Sequence, residues 1–539
     1  MKTIQKIKTL LSTLLLIVFI NSCSDLDQKF YGQIPNEKLW NSKTDFDQAI
    51  NGAVQYLDKP YGYYTMHFFL MEDGATDYFY GNTNAANEYS AFQNWKTNYP
   101  TTFSWAVWTP MYESIYQCNL VLERLDKYPI RTGSEFEAED LMNKAKIEGQ
   151  AHFFRALNYY FAQNYFGGVP IVKSADDNRV SIAKSTRDEV RELVESDLLL
   201  AVSKLPNSLD AKADIMPSRP SKQAAYGLLA RLYINWESKS DHWQKTSDAC
   251  DAIITDNSDL GLEPIYSNIF SLTNEKNKEI VYAIEHNNIN PASQVFLLNN
   301  YTYSPSDMLN PIGAQIGWGG NWQVKRIALY DYFANNDSRK KQILNSYINK
   351  NGNPKNLSSA PNHLVNKYPL DPKNLTNSFG GNDQPIIRYA DILLMKAEAL
   401  NNLSNLPGAT ILINEVRSRA GLGDLPSSIN TFDLFNEEIY NERRREFFFE
   451  GLGRTDMIRF TDRSPATSSG PSPNYGKNKF LLWVGKSLRL LPDGTVAKDD
   501  VKTEDIPQGT QADEKYKLYP FDLLALRNNP KLVQNLGYN

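Results

Sequence analysis

Cysteine, histidine and long apolar runs are all scarce in this 539-residue chain, which has three cysteines and five histidines. So few cysteines exclude a disulfide framework. The histidines (His67, His152, His242, His286 and His363) form no His-Glu-x-x-His zinc motif. There is no Gly-x-Ser-x-Gly nucleophile elbow and no phosphate loop, and Gly319-Gly320 and Gly380-Gly381 lack the flanking pattern such a loop needs. A basic surplus is also missing. Lys and Arg number 57 against 62 Asp and Glu, a net charge of −5, which argues against nucleic acid as a partner. A glycoside hydrolase would need two carboxylates flanking one bond. Glu72, Asp73 and Asp77 are close in sequence, but with 62 acids such clusters are common. No catalytic residue is therefore nominated, and no metal or cofactor is expected.

What is present begins at the N-terminus. Lys2, Lys6 and Lys8 precede an apolar stretch from Leu10 to Ile20, followed by Ile20-Asn21-Ser22-Cys23. The basic, apolar, small-residue order is that of a secretory signal. The stretch is too short to span a bilayer, which takes about 20 residues of helix. The end of it resembles a lipobox, which predicts cleavage after residue 22 and lipid on Cys23. Several lipid chains would anchor the protein stably where one would not. Removing residues 1–22 takes away three lysines and no acid, so the charge falls from −5 to −8. Cys118 and Cys250 sit in helix-like stretches; an oxidising compartment permits a bridge between them, which two cysteines alone do not show, and buried free thiols are the favoured reading.

Residues 23–43 read as a lipidated spacer. Helical periodicity follows at Phe46–Leu57, Trp105–Lys127, Asn143–Tyr165, Arg187–Leu205, Ser221–Trp236 and Trp243–Ile254. Glu279–Glu285 alternates as a short strand does. Residues 286–383 are rich in Asn, Ser, Pro and Gly and read as a loop-rich insertion. Helices are expected again at Pro385–Leu400, Gly408–Ala420 and Phe432–Phe449, with a strand at Phe480–Val484. Three helices share a local pattern: Phe153-Phe154-Arg155-Ala156-Leu157, Leu228-Leu229-Ala230-Arg231-Leu232-Tyr233 and Leu393-Leu394-Met395-Lys396-Ala397-Glu398-Ala399. Small alanines among large apolar residues allow close helix pairs of tetratricopeptide type. The spacing between pairs is irregular, so periodicity does not decide between that and generic helix packing.

Specific blocks add to this. Glu148 to Tyr160, continued by Tyr165-Phe166-Gly167-Gly168-Val169-Pro170, resembles a hallmark of the SusD/RagB lipoproteins. So do Pro385 to Ala399, Ile413 to Leu422, Glu442 to Gly451 running on to Arg454, Asp456 and Arg459, and the ending Asn529 to Tyr538. Ser24-Asp25-Leu26-Asp27 resembles, imperfectly, the surface-export signal of Bacteroidota lipoproteins. The resemblance implies a mostly α fold: tetratricopeptide-like helix pairs forming one superhelical body, with long loops and a few short strands. On this scheme 44–256 is the N-terminal SusD-like part, and 257–539 the C-terminal RagB/SusD part with helices at 385–449. It also implies a non-enzymatic protein on the cell surface, lipid-anchored to the outer membrane. Such a protein would capture an oligosaccharide, or a peptide or glycoprotein fragment, and pass it to a SusC-like TonB-dependent transporter. A pure protein-binding scaffold is the reading from a different class.

Within the Glu442-Arg443-Arg444-Arg445-Glu446 block, Glu442 with Arg445 and Arg443 with Glu446 are spaced to pair along a helix. Arg417, Arg454 and Asp456 could join them in a partly buried network, with Gly451 and Gly453 ending the helix. An anion clamp at Arg443–Arg445 is the functional alternative. A sugar needs aromatic faces for its C–H surfaces and polar groups for its hydroxyls. Among nine Trp, several lie in non-helical stretches. The expected ligand contacts are Asp73, Asp77, Tyr78, Asn94 and Trp95 from the early loops, and Tyr301, Tyr303, Trp318 and Trp322 from the insertion. The competing reading is that these aromatics anchor loops to the helical body.

Overall fold

Small and large apolar residues at helical spacing build most of the chain into helices, each packed on the next. The computed structural model describes residues 40–58, 68–81, 101–175, 177, 181–212, 218–256, 259–286, 322–326, 328–349, 351–360, 362–369, 371, 381–461, 463, 478–480, 488–490, 496–498 and 515–538. In chain order the main elements of the first half are helix α1 (Lys43–Asp58), the short buried α2 (Phe68–Glu72), strand β1 (Phe79–Gly81), α3 (Thr101–Arg124), α4 (Glu137–Phe166), α5 (Arg187–Lys204), α6 (Lys222–Ile234) and α7 (His242–Ile254). The second half adds β2 (Ile280–Ile284), β3 (Trp322–Lys325), β4 (Ile343–Leu344), β5 (Ser346–Ile348), β6 (Pro354–Asn356), β7 (Asn362–Val365) and β8 (Gln384–Arg388). Helices α8 (Tyr389–Asn402), α9 (Leu406–Arg419), α10 (Phe432–Phe447), α11 (Gly453–Arg459) and α12 (Leu523–Asn528) follow.

Helix α1 packs on α3, α3 on α4, and so on through α9, which gives four consecutive pairs: α1/α3, α4/α5, α6/α7 and α8/α9. The repeated sequence pattern has a physical reason. Ala151, Ala156, Ala225, Ala230 and Ala397 are wholly buried and let neighbouring helices approach closely. One basic residue of each pattern then reaches an acid on a neighbouring helix. Arg155 on α4 holds Asp197 of α5 at 2.7 and 2.8 Å, with His152 on the same carboxylate at 2.7 Å. Arg231 on α6 donates to Asp391 of α8 at 2.8 Å, and Lys396 on α8 pairs with Asp251 of α7. Three of the four helix pairs are thus fastened within themselves or to a neighbouring pair by a charge-assisted bond.

Helix limits follow the expectation to within a few residues, with one correction. Pro385–Arg388 is strand β8, not the start of a helix, and pairs antiparallel with β2 so that Ile280 faces Arg388 and Ile284 faces Gln384. Ile386 and Ile387 are β-branched and the whole strand is buried, which suits a strand better than a helix start. The insertion is not all loop either. A four-stranded sheet runs β1-β3-β7-β4. Of the segment expected as a strand at Phe480–Val484, Phe480 is helical and the remainder lies outside the described residues.

The C-terminal segment returns to the start of the fold. Tyr519 donates its backbone N–H to Tyr165 at 2.7 Å and its hydroxyl to the Met71 carbonyl at 2.6 Å. Phe521 stacks on Phe166 with centroids 5.6 Å apart. Cys118 and Cys250 are buried free thiols, as expected. Burial pushes the Cys118 thiol up to about 12.

Candidate functional site

The Glu442–Glu446 block lies on α10, where successive residues turn by about 100°, so its three arginines point in three directions. Arg445 pairs with Glu442 and Glu438, both at 2.6 Å. The expected Arg443–Glu446 pair does not form. Arg443 instead bridges Asp391 and Asp456 at 2.8 Å each, while Glu446 faces Arg339 and Arg388 at 3.0 Å, with Arg419 also on it. Arg339 continues to Asp337 and Glu442, Arg388 to Glu279 and Glu450, and Lys367 to Glu450. Counting Arg417 and Glu438, six cations (Arg339, Lys367, Arg388, Arg417, Arg419, Arg445) meet six acids (Glu279, Asp337, Glu438, Glu442, Glu446, Glu450). A second set of three against three, Arg231, Arg443 and Arg459 with Asp391, Glu398 and Asp456, adjoins it. Burial opposes the charge on Glu446, but Arg419, Arg388 and Arg339 outweigh it and hold its carboxyl far below the usual range. Burial likewise opposes the charge on Asp391, yet Arg231 and Arg443 bring it down to about 2.

The block is therefore a neutralised interior framework, as the structural reading expects, and all three arginines of the alternative anion clamp are taken up by carboxylates. Helix α10 ends at Phe447, earlier than expected. The turn beyond it has left-handed backbone at Phe449 (φ 57°) and Gly451 (φ 73°), while Gly453 opens α11. Added at Gly451, a Cβ would overlap the ring of Phe68, so this turn is closed against α2.

Arg444 is the member aimed differently. It donates to both oxygens of Asp77 at 3.0 and 2.9 Å and to the Ala328 carbonyl at 2.8 Å. Its guanidinium lies 5.3 Å from the ring of Tyr332, which is 51% exposed. This pair ties the early chain to the insertion. Beside it, β1 pairs with β3, so that Phe79 faces Val324, Tyr80 faces Gln323 and Gly81 faces Trp322. The two loop regions singled out in the sequence are thus joined in one sheet at positions 79–81 and 322–324.

The expected contact residues divide accordingly. Trp322 opens β3 opposite Gly81, and Asp77 lies partly exposed at the Arg444 bridge. Asp73 and Tyr78 are 0% and 2% exposed. Asp73 accepts from the Gly451 N–H at 2.7 Å and from the Tyr78 hydroxyl, so both side chains brace the turn after α10. The expectation of ligand contact does not carry over to either. Cys23, Asn94, Trp95, Tyr301, Tyr303 and Trp318 lie outside the described residues. Arg444 and Tyr332 belong to this surface and were missed as such; the triple arginine was a signal, but its separate directions appear only once α10 is placed.

Glu72 and Asp73 also bear on chemistry. Glu72 accepts from the backbone N–H and hydroxyl of Thr455 at 2.9–3.0 Å. Burial is the main cause raising each, to about 7. Neither faces solvent, so they do not flank a space where a glycosidic bond could lie. Among the described residues no cluster of His, Cys, Asp and Glu could hold a metal. No described helix is long and apolar enough to cross a membrane.

Two family models match this chain: the SusD family over residues 299–538, and one described as starch-binding associating with outer membrane over residues 26–234. The chain belongs to the SusD/RagB family. This SusD/RagB-family protein is 25% identical over 500 residues to SusD-like protein P2 of Formosa agariphila, across 87% of this chain and 94% of that one. Its fold matches that of a SusD homolog from Bacteroides thetaiotaomicron with a TM-score of 0.74 at 20% identity, covering 94% and 99% of the two chains. A laminarin-binding SusD-like protein matches with a TM-score of 0.67 at 20% identity, covering 92% and 99%. The two solved structures share the fold of this chain over nine-tenths of its length.

Proposed function

We propose that this protein is a surface lipoprotein that captures an oligosaccharide without cleaving it and passes it to a TonB-dependent outer-membrane transporter. Family membership supports the glycan class, since one matching family is described as starch-binding and outer-membrane-associated and one structural neighbour as laminarin-binding. The observation that carries the reading is the β1–β3 pairing. It runs the insertion's first described strand beside β1, and the Arg444–Asp77 bridge and the exposed Tyr332 lie in the adjoining segments; the Tyr332 ring suits sugar C–H groups and the charged pair suits hydroxyls. On this reading residues 1–22 are the cleaved signal, Cys23 carries the lipid, and the tether ends by Trp40, which packs into the core against Phe46, short of the expected limit at 43. Capture followed by release suits a Kd of roughly micromolar to millimolar, about −8 to −4 kcal/mol. The test is calorimetry of the mature chain without residues 1–23 against a panel of neutral and acidic oligosaccharides, alongside product analysis. Binding without fragmentation, weakened about tenfold by Trp322→Ala or Tyr332→Ala, is expected. Fragmentation of any glycan, or failure to bind any, would defeat it.

A further inference from the structure

A cavity of about 620 Å³ lies apart from the β1–β3 surface and shares none of the residues named there. It opens where the C-terminal ends of α4, α6 and α8 meet the N-terminal ends of α5, α7 and α10, with α11 and the returning C-terminal segment closing it. Trp243, Phe432 and Phe460 supply ring surface, and Asn164, Asn235 and Asn402 supply amides. Its size lies in the range of small-molecule sites.

The charges on its wall are one-sided. Six cationic residues line it, Arg187, Arg454, Arg459, Arg463, Lys515 and Lys517, against two acids, Glu237 and Glu398. Both acids are engaged: Glu398 holds Arg459 at 2.8 and 3.1 Å, and Glu237 lies 3.3 Å from Arg191. Arg187 meets only neutral acceptors, Gln163 Oε1 at 2.8 Å and Asn164 Oδ1 at 3.5 Å. Arg454 is 1% exposed, donates one Nη to the Lys517 carbonyl, and has no acceptor for its Nε. Its guanidinium lies against the rings of Tyr519 and Phe480 at 4.6 and 5.7 Å. Glu72 feels the field of Arg454 but bonds Thr455 instead.

This differs from the six arginines at the centre of the two charge networks. Arg231, Arg339, Arg388, Arg419, Arg443 and Arg445 each meet at least one carboxylate. Arg187 also opens α5, where the helix dipole presents its positive end and disfavours a cation. Burial above all, and then Arg191 and Arg454, bring its pKa down to about 10. A guanidinium kept at a like-charged place without a carboxylate suits a site whose counter-charge arrives with a ligand.

We propose that this cavity is a second binding site, which takes a saccharide unit bearing a negatively charged oxygen group, a carboxylate or a sulfate, against Arg187 and Arg454, with its ring on Trp243 and Phe432. The sugar part rests on the glycan-binding reading above; the anionic part rests on the arginines alone.

The test uses the mature chain without residues 1–23 at low salt, by calorimetry with digalacturonate, galactose 6-sulfate, galactobiose and inorganic sulfate. Expected is binding of one or both acidic sugars at least about tenfold tighter than galactobiose, lost by a similar factor at high salt. Digalacturonate alone identifies a carboxylate site, and galactose 6-sulfate alone a sulfate site. Arg187→Gln should weaken that binding about tenfold while leaving the thermal midpoint equal or higher, since it relieves like-charge crowding; Lys515→Gln should weaken it less, and Tyr332→Ala not at all. Equal binding of acidic and neutral sugars, indifference to both cavity variants, or inorganic sulfate binding as tightly as the acidic sugars overturns the proposal. If neutral glycans bind and respond to Tyr332→Ala while no acidic sugar responds to Arg187→Gln, the second site falls and the glycan-binding reading stands. If sulfate binds and no saccharide does, both fall.

Discussion

Replacing Glu446 by Gln should cost more stability than its one lost charge suggests from sequence. Its carboxylate lies 3.0 Å from Arg339 and from Arg388 and also meets Arg419, and all four groups are buried. Six cations now balance six acids in this network; the substitution leaves six against five. An uncompensated charge left in an interior site costs about 3–5 kcal/mol. The Gln side chain keeps the volume but turns an N–H₂ toward a guanidinium, so repacking recovers little. The exposed pair Arg131–Glu139, at 3.8 Å with side chains 51% and 56% exposed, is the control, and Glu139→Gln there should cost under about 1 kcal/mol. Urea unfolding at pH 7, followed by tryptophan fluorescence, measures both. The acid limb adds a sign. The carboxyl is held below its ordinary value of 4.5 in the folded protein. Its contribution is therefore complete above pH 4.5 and fades as pH falls toward the folded value, so parent and variant should converge in acid. A loss under about 1 kcal/mol at pH 7, equal to the Glu139→Gln control, would refute the reasoning.

The buried pair Glu72 and Asp73 should act in the opposite sense. Both are raised to about 7 in the folded protein, from 4.5 and 3.8. The folded state then holds protons that the unfolded chain releases, so stability falls as pH rises from about 4 to 7 and levels off above. For Glu72 the shift corresponds to about 3 kcal/mol. The double variant Glu72→Gln with Asp73→Asn should gain stability relative to the parent between pH 5 and 8; a constant difference in urea midpoint across that range counts against it. Gly451→Ala should lose about 2 kcal/mol or more, because it combines a φ of 73° with overlap on the Phe68 ring. Gly133→Ala, at φ 75° with open space around it, isolates the backbone part and should cost about 1 kcal/mol. Equal losses by thermal unfolding would remove the steric argument.

Helix positions and the family were legible because their signals are local. Apolar spacing marks α4 or α6 regardless of what lies opposite. Pro385–Arg388 was misread because an apolar run before a helix fits either structure, and only the partner β2 decides it. Asp73 and Tyr78 looked like loop residues available to a ligand, yet packing against the turn after α10 buried them. Arg187 gave no sign at all in the sequence. Its lack of a carboxylate depends on where α4, α6 and the C-terminal segment come to rest.

By itself the sequence determined the helical class and the family, and it favoured free thiols, because periodicity and residue order are carried along one strand of chain. Which arginine meets which acid, which early residues face solvent, and where two guanidiniums stay without a carboxylate were decided only by tertiary structure. Those properties belong to pairs of residues far apart in the chain, and distance, burial and charge balance exist only after the pieces are assembled.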